Sequence, residues 1–151
     1  MGGDGRAVGA DRVKAGDRFG PSSWVEVSQE TIDAFAEATG DHQWIHVDAE
    51  RAAAGRFGTT IAHGYFTLSL LPAASYEVIP PQSDGMAINY GLNRVRFPAP
   101  VPVGSRVRAS FEAAAVEEAD WGMQATLAAT VEREGGDKPV CVADVVFRYY
   151  T

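Results

Sequence analysis

Residues Gly122–Glu134 read GMQATLAATVERE, and their spacing decides the fold. Met123, Ala125, Leu127, Ala129 and Val131 alternate with Gln124, Thr126, Ala128, Thr130 and Glu132. Successive side chains of a strand point to opposite faces, so a period of two with one apolar set describes a strand half sunk in a core. The preceding SRVRASFEAAAVEE (105–118) repeats the pattern: Val107, Ala109, Phe111 and Ala113 against Arg106, Arg108, Ser110 and Glu112. MAINYG (86–91), NRVRFP (93–98) and KPVCVADVVFRYY (138–150) read as further strands, and ADWGM (119–123) and EGGDK (134–138) supply hairpin turns. One apolar face per strand and tight turns between strands describe an antiparallel sheet covered on one side.

The first half of the chain has a helical character. SSWVEV (22–27) is expected as a short strand in which Trp24 is the heaviest apolar contribution. Ser28 is placed to cap a helix, with Ile32, Phe35, Ala36 and Thr39 on one face and Gly40 at its stop. Asp48 caps a second helix, AERAAA (49–54), that ends by Gly55. The loop GRFGTTIAHG (55–64) then leads into YFTLSLLPAASY (65–76), apolar nearly all round as a helix buried on every side must be. Pro72 lacks a backbone donor, so a kink or early stop belongs near it. The architecture is a single α+β domain over 15–151, a long antiparallel sheet wrapped on one buried helix, after a flexible leader over 1–14 with little to bury.

Composition narrows the function classes. At 151 residues, 46% apolar and 22% charged, the chain suits one soluble globular domain. Its 13 basic against 20 acidic residues give a net charge of -7, which repels phosphate backbones, and no basic patch is present, so no nucleic-acid partner is expected. The single cysteine, Cys141, excludes an intrachain disulfide and shares a strand face with Ala143, Val145 and Phe147, the position of a core filler. MGGDGRAVGADRVKAGD (1–17) does not resemble a signal peptide, and the apolar run from Ile61 to Ala74 is interrupted and shorter than the roughly 20 residues of a membrane span. A cytoplasmic protein with no membrane partner is the expectation.

Chemistry can reside in TGDHQWIHVD (39–48), which places an acid at Asp41 and an imidazole at His46. Taken singly, Asp41 after a helix-ending glycine is a turn residue bonding nearby amides, and His46 is a packing residue. As a pair on a non-helical segment, they can share one water, as general acid–base catalysis requires. Gly64 stands where the loop becomes the buried helix, and a helix N-terminus offers unsatisfied N–H groups to an oxygen gaining negative charge. Tight packing at the start of that helix explains Gly64 equally well, and His63 has the position of a loop-bonding structural residue. GRFGTT lacks the ending of a phosphate loop. His42, His46 and Asp48 match no standard metal spacing, so no metal is expected.

FAEATGDHQWIHVDAERAAAG (35–55), followed by TTIAHGYFTLSLL (59–71), resembles the MaoC-like dehydratase family, the (R)-specific enoyl-CoA hydratases or hydratase 2. The resemblance continues through INYGLNRVRFPAPVPVGSRVR (88–108). The family motif has the form G-D-x-N-P-[hydrophobic]-H, and Gln43-Trp44 replaces Asn-Pro, which removes the rigid proline from the loop. The resemblance implies a hot-dog fold, a homodimer with sites at the subunit interface, and catalysis by Asp41 and His46 on one shared water. It further implies hydration of a trans-2-enoyl-CoA to an (R)-3-hydroxyacyl-CoA and the reverse dehydration, with the Gly64 N–H as oxyanion donor. No cofactor is implied, coenzyme A serving only as the substrate's handle. Ala62, His63, Asn89, Tyr90, Gly91 and Pro98 are candidate walls of the acyl or pantetheine channel, and Tyr65 and Leu68 either bound the acyl tail or simply pack. Arg94, Arg96, Arg106 and Arg108 are candidate phosphate contacts if they face that channel. Two rivals remain: a hot-dog thioesterase and a non-catalytic acyl-thioester-binding subunit.

Overall fold

A computed structural model describes residues 12–151. Two short strands, β1 (Arg18–Phe19) and β2 (Val25–Glu26), precede α1 (Gln29–Thr39), α2 (Trp44–Val47), α3 (Ala49–Ala53), α4 (Gly64–Ser69) and α5 (Leu71–Val78). Four long strands follow: β3 (Met86–Arg96), β4 (Arg106–Ala119), β5 (Gly122–Arg133) and β6 (Cys141–Tyr150). They form one antiparallel six-stranded sheet in the order β1-β4-β5-β6-β3, with β2 also on β4. The sheet curls around α4 and α5, α4 lying on β6 and α5 on β4, which is the hot-dog arrangement.

The alternation seen in sequence is the alternation in space. Val107, Ala109, Phe111 and Ala113 of β4 are buried, as are Met123, Ala125, Leu127, Ala129 and Val131 of β5. Cys141, Ala143, Val145 and Phe147 of β6 complete that face, and burial pushes the Cys141 thiol up to about 11. Ile32 and Ala36 of α1, Phe66 of α4 and Leu71 of α5 close the core over it. Ser28 caps α1 by accepting from the Thr31 N–H, and Gly40 ends it with φ 83°, a left-handed value that glycine adopts without strain.

Several expectations need correction. Arg12–Lys14 belong to the folded domain: Val13 is 3% exposed and donates its N–H to Gln82 Oε1, while Arg12 pairs with Glu118. The remainder of the expected leader, residues 1–11, lies outside the described residues. Trp24 is half-buried beneath the guanidiniums of Arg106 and Arg108, and Val27 is the core residue of its segment. MAINYG and NRVRFP are one strand, β3, bulged between Asn89 and Gly91 and between Leu92 and Arg94. The central helix breaks at Leu70, with Pro72 in the first turn of α5, where a missing N–H costs no intrahelical bond. It is not buried on every side, because Tyr65 is 71% exposed and Tyr76 is also exposed.

Candidate active site

Two short segments converge to build the site. The sequence from Gly40 to Val47 leaves α1 through the left-handed Gly40 and re-enters a helix for a single turn, α2. The second segment, Thr60–Ala62, is zipped between α2 and the run Val101–Val103. The Ile61 N–H donates to the Ile45 carbonyl at 3.0 Å, the Ala62 N–H to the Val101 carbonyl at 2.9 Å, and the Val103 N–H to the Thr60 carbonyl at 3.0 Å. This pairing brings the Ile61 carbonyl under the His46 ring, 2.7 Å from Nδ1.

A carbonyl can only accept, so Nδ1 of His46 carries the proton and Nε2 of the neutral ring has a free lone pair. His46 is 6% exposed, and its pKa is lowered from 6.5, chiefly by burial. The Ile61 carbonyl opposes that shift, His63 adds to it, and Asp41 opposes it. The ring is therefore held neutral near pH 7.

Gln29, in the first turn of α1, holds the backbone of α2. Its amide donates to the His46 carbonyl at 2.7 Å and to Asp33 Oδ1 at 2.8 Å, while its own oxygen accepts from the Thr60 hydroxyl at 2.6 Å. Neither the Gln29–His46 nor the Gln29–Thr60 bond stood out in the sequence, because the partners are 17 and 31 residues apart.

Asp41 is exposed, and its Oδ1 accepts the Gln43 N–H at 3.3 Å, so the turn role is present. An Asp41 carboxylate oxygen and one ring nitrogen each of His46 and His63 also lie within 4.8 Å of one another. Groups that close can share one bridging water. His42, by contrast, faces Glu37 at 3.7 Å, and Asp48 caps α3, accepting from the Arg51 N–H at 3.0 Å, so neither joins His46.

A cavity of about 590 Å³ opens on His46. Ala62, Gly64 and Pro98 line it, together with Phe97, Arg56 and Phe57, which the sequence did not single out. Gly64 is the first residue of α4, so its N–H has no intrahelical acceptor. A Cβ on Gly64 would stand 2.9 Å from the Phe97 ring, so glycine allows the wall of the cavity to close against the start of the helix. His63 does not line this cavity; it lies behind His46.

Asn89, Gly91 and Leu68 face a second, smaller cavity of about 210 Å³ between the central helices and β3, closed by Leu71, Val145 and Phe147. Tyr90, in the bulge, points away and lies under the Arg148 guanidinium at 3.6 Å. Tyr65 packs edge-on to Phe97. Of the four arginines suggested for phosphate, Arg106 and Arg108 pair with Glu134 and Glu132 at 3.0 and 2.6 Å, and Arg96 donates to its neighbour's carbonyl. None of the four, Arg94 included, lines the His46 cavity; Arg56 does.

Comparison with known proteins agrees with this architecture. Residues 12–144 match the MaoC like domain. The chain is 59% identical over 136 residues to 3-hydroxyacyl-thioester dehydratase Z of Mycobacterium tuberculosis, covering 89% of this chain and 90% of that protein. It is 46% identical over 134 residues to Nodulation protein N of Rhizobium leguminosarum bv. viciae, covering 87% and 83% respectively. Among solved structures, the (R)-hydratase from A. caviae involved in PHA biosynthesis superposes with a TM-score of 0.76 at 25% identity, over 91% of this chain and 97% of that one. The chain is a member of the MaoC-like dehydratase family, built on the hot-dog fold.

Proposed function

We propose that the protein is a hydro-lyase that adds water to a trans-2-enoyl-CoA to give an (R)-3-hydroxyacyl-CoA, and runs the reverse dehydration. The observation that carries this reading is a ring nitrogen of buried His46 within 4.8 Å of an Asp41 carboxylate oxygen, with His46 Nδ1 held by the Ile61 carbonyl, beside a cavity that Gly64 also lines. The relatives support it: one is named a 3-hydroxyacyl-thioester dehydratase and a structural neighbour an (R)-hydratase.

A water between Asp41 and His46 gives one hydrogen to each acceptor, which turns an oxygen lone pair toward the substrate. As that oxygen bonds to C3, its proton passes to His46 Nε2 and the C2=C3 electrons move to the thioester oxygen. The Gly64 N–H meets the resulting enolate; loss of one such donor typically costs about 2.7–4 kcal/mol of transition-state stabilisation. His46 then returns the proton to C2 on the same face, so one water has been added in all. The thioester carbonyl is the electron sink, and this chemistry uses no further cofactor or metal.

Arg56 lines the same cavity, where a guanidinium suits the phosphate that coenzyme A and the pantetheine arm of a carrier protein both bear. A homodimer fits the edge of β3, whose Met86, Ile88, Tyr90 and Leu92 are exposed along a strand that, among the described residues, is hydrogen-bonded on one side only. A second copy pairing along that edge would cover them.

The test follows the loss of enoyl-thioester absorbance of crotonyl-CoA with wild type and Asp41→Asn. Loss in wild type and none in the variant supports the reading. Release of free thiol from acyl-CoA would instead mark a thioesterase.

A further inference from the structure

His63 is 3% exposed and lies outside both cavities, yet it touches both members of the proposed couple. Its Nε2 is 2.9 Å from the Asp41 main-chain carbonyl. Its ring stacks on His46 with centroids 3.8 Å apart and planes 22° apart, and its other neighbour is Phe35, 4.8 Å between centroids. Since the Asp41 carbonyl can only accept, Nε2 of His63 carries a hydrogen. Nδ1 is buried without a hydrogen-bond partner among the described residues. Protonating it would place a donor with no acceptor in the interior and a cation against the face of His46. The neutral Nε2–H form is thus the one this packing accepts.

We infer that His63 is the positioning residue of the couple: its Nε2–H pins the main chain at Asp41 while its ring backs His46, and together these set the separation of the Asp41 carboxylate from His46 Nε2. The inference rests on the Asp41–His46 couple proposed above. It also explains how a carboxylate on an exposed segment keeps its place. The Asp41 N–H bonds the Thr39 hydroxyl and Oδ1 accepts from Gln43, both at 3.3 Å, which are long contacts within the same turn. The bond from His63, 22 residues away, is the shorter one and ties that turn to the start of the central helix.

Two substitutions separate the hydrogen bond from the ring. His63→Phe keeps a stacking ring and loses the donor; His63→Gln keeps an N–H near the Nε2 position and loses the ring. A misplacement of about 1 Å can cost about 100-fold. On crotonyl-CoA, His63→Phe is therefore expected to lower kcat by about that factor with little change in KM, and His63→Gln to recover most of the loss. Thermal melts accompany both variants. Nitrogen-15 NMR of the wild type reads the tautomers without any turnover and should show His63 as Nε2–H and His46 as Nδ1–H.

A His63 bearing its proton on Nδ1 alone overturns the inference whatever the activity. So does a folded His63→Phe with wild-type kcat, or a folded His63→Gln as impaired as His63→Phe. A wild type that hydrates no enoyl-CoA while showing the predicted tautomers would count against the hydratase reading and leave the placement of Asp41 by His63 standing.

Discussion

The inner face of the β4–β5–β6 sheet and the corner formed by Asp41, His46 and His63 are both buried in large part, but they are buried by different means. On the sheet face, Leu127, Val131, Val145 and Phe147 remove carbon from water, and any well-fitting apolar side chain would serve. At the corner, polar atoms are held by named partners: Ile61 for His46 Nδ1, Gln29 for the His46 carbonyl, and the Asp41 carbonyl for His63 Nε2. The first region depends on volume and the second on direction. The sheet should therefore lose stability in proportion to the atoms removed, and the corner should lose function before it loses the fold.

The sharpest test of that division is at the couple itself. Asp41→Asn and His46→Gln should each lower kcat on an enoyl-CoA by about 10²–10⁴-fold, the usual contribution of general acid–base catalysis. The melting temperature of Asp41→Asn should stay near that of the wild type, since Asp41 is exposed. A large drop in its melting temperature would break the comparison.

The opposite pattern belongs to Leu127→Ala, on the buried face of β5. It should cost about 2–5 kcal/mol in chemical denaturation while the folded fraction keeps its kcat. Gln29→Ala tests the seam between the regions, because it orphans the His46 carbonyl and the Thr60 hydroxyl together. The expected loss is about 1–3 kcal/mol, with kcat lowered as well.

Acid should distinguish the regions again. Because the His46 pKa is lowered from 6.5 in the folded state, the unfolded chain binds more protons below that value. The stability difference is therefore complete above pH 6.5 and lost progressively as pH falls from 6.5 toward the folded value. The acid limb of the rate profile should have its midpoint below 6.5, and a midpoint above it would contradict a buried, neutral His46. The smallest effect is expected at Arg56→Ala, where an exposed guanidinium at the rim contributes about 0.2–1 kcal/mol. That predicts a rise of less than tenfold in KM for coenzyme A thioesters, diminishing with salt.

The same division explains what could be read from the sequence. Strands β4, β5 and β6 were legible because period-two burial is a local property of each strand. Ser28 and Gly40 were legible because caps act within one turn. The couple was visible as a pair five residues apart, and Gly64 as the start of a helix.

Partner choice across the fold was not legible. Gln29 bonds His46 across 17 residues and His63 bonds Asp41 across 22, and neither bond leaves a periodic trace in the chain. The one-turn helix α2 has too few residues to show a helical period. β3 read as two strands because its bulges reset the alternation at Asn89 and again at Leu92.

Cys141 lies at the start of β6, 1% exposed, opposite Val131, with its thiol pushed up to about 11. At neutral pH, the interior both shields it and keeps it almost wholly in the unreactive thiol form. Its reaction with a thiol reagent must wait for β6 to leave the sheet, so the protein contains a clock for its own opening. The clock should run at the wild-type rate in Asp41→Asn and faster in Leu127→Ala.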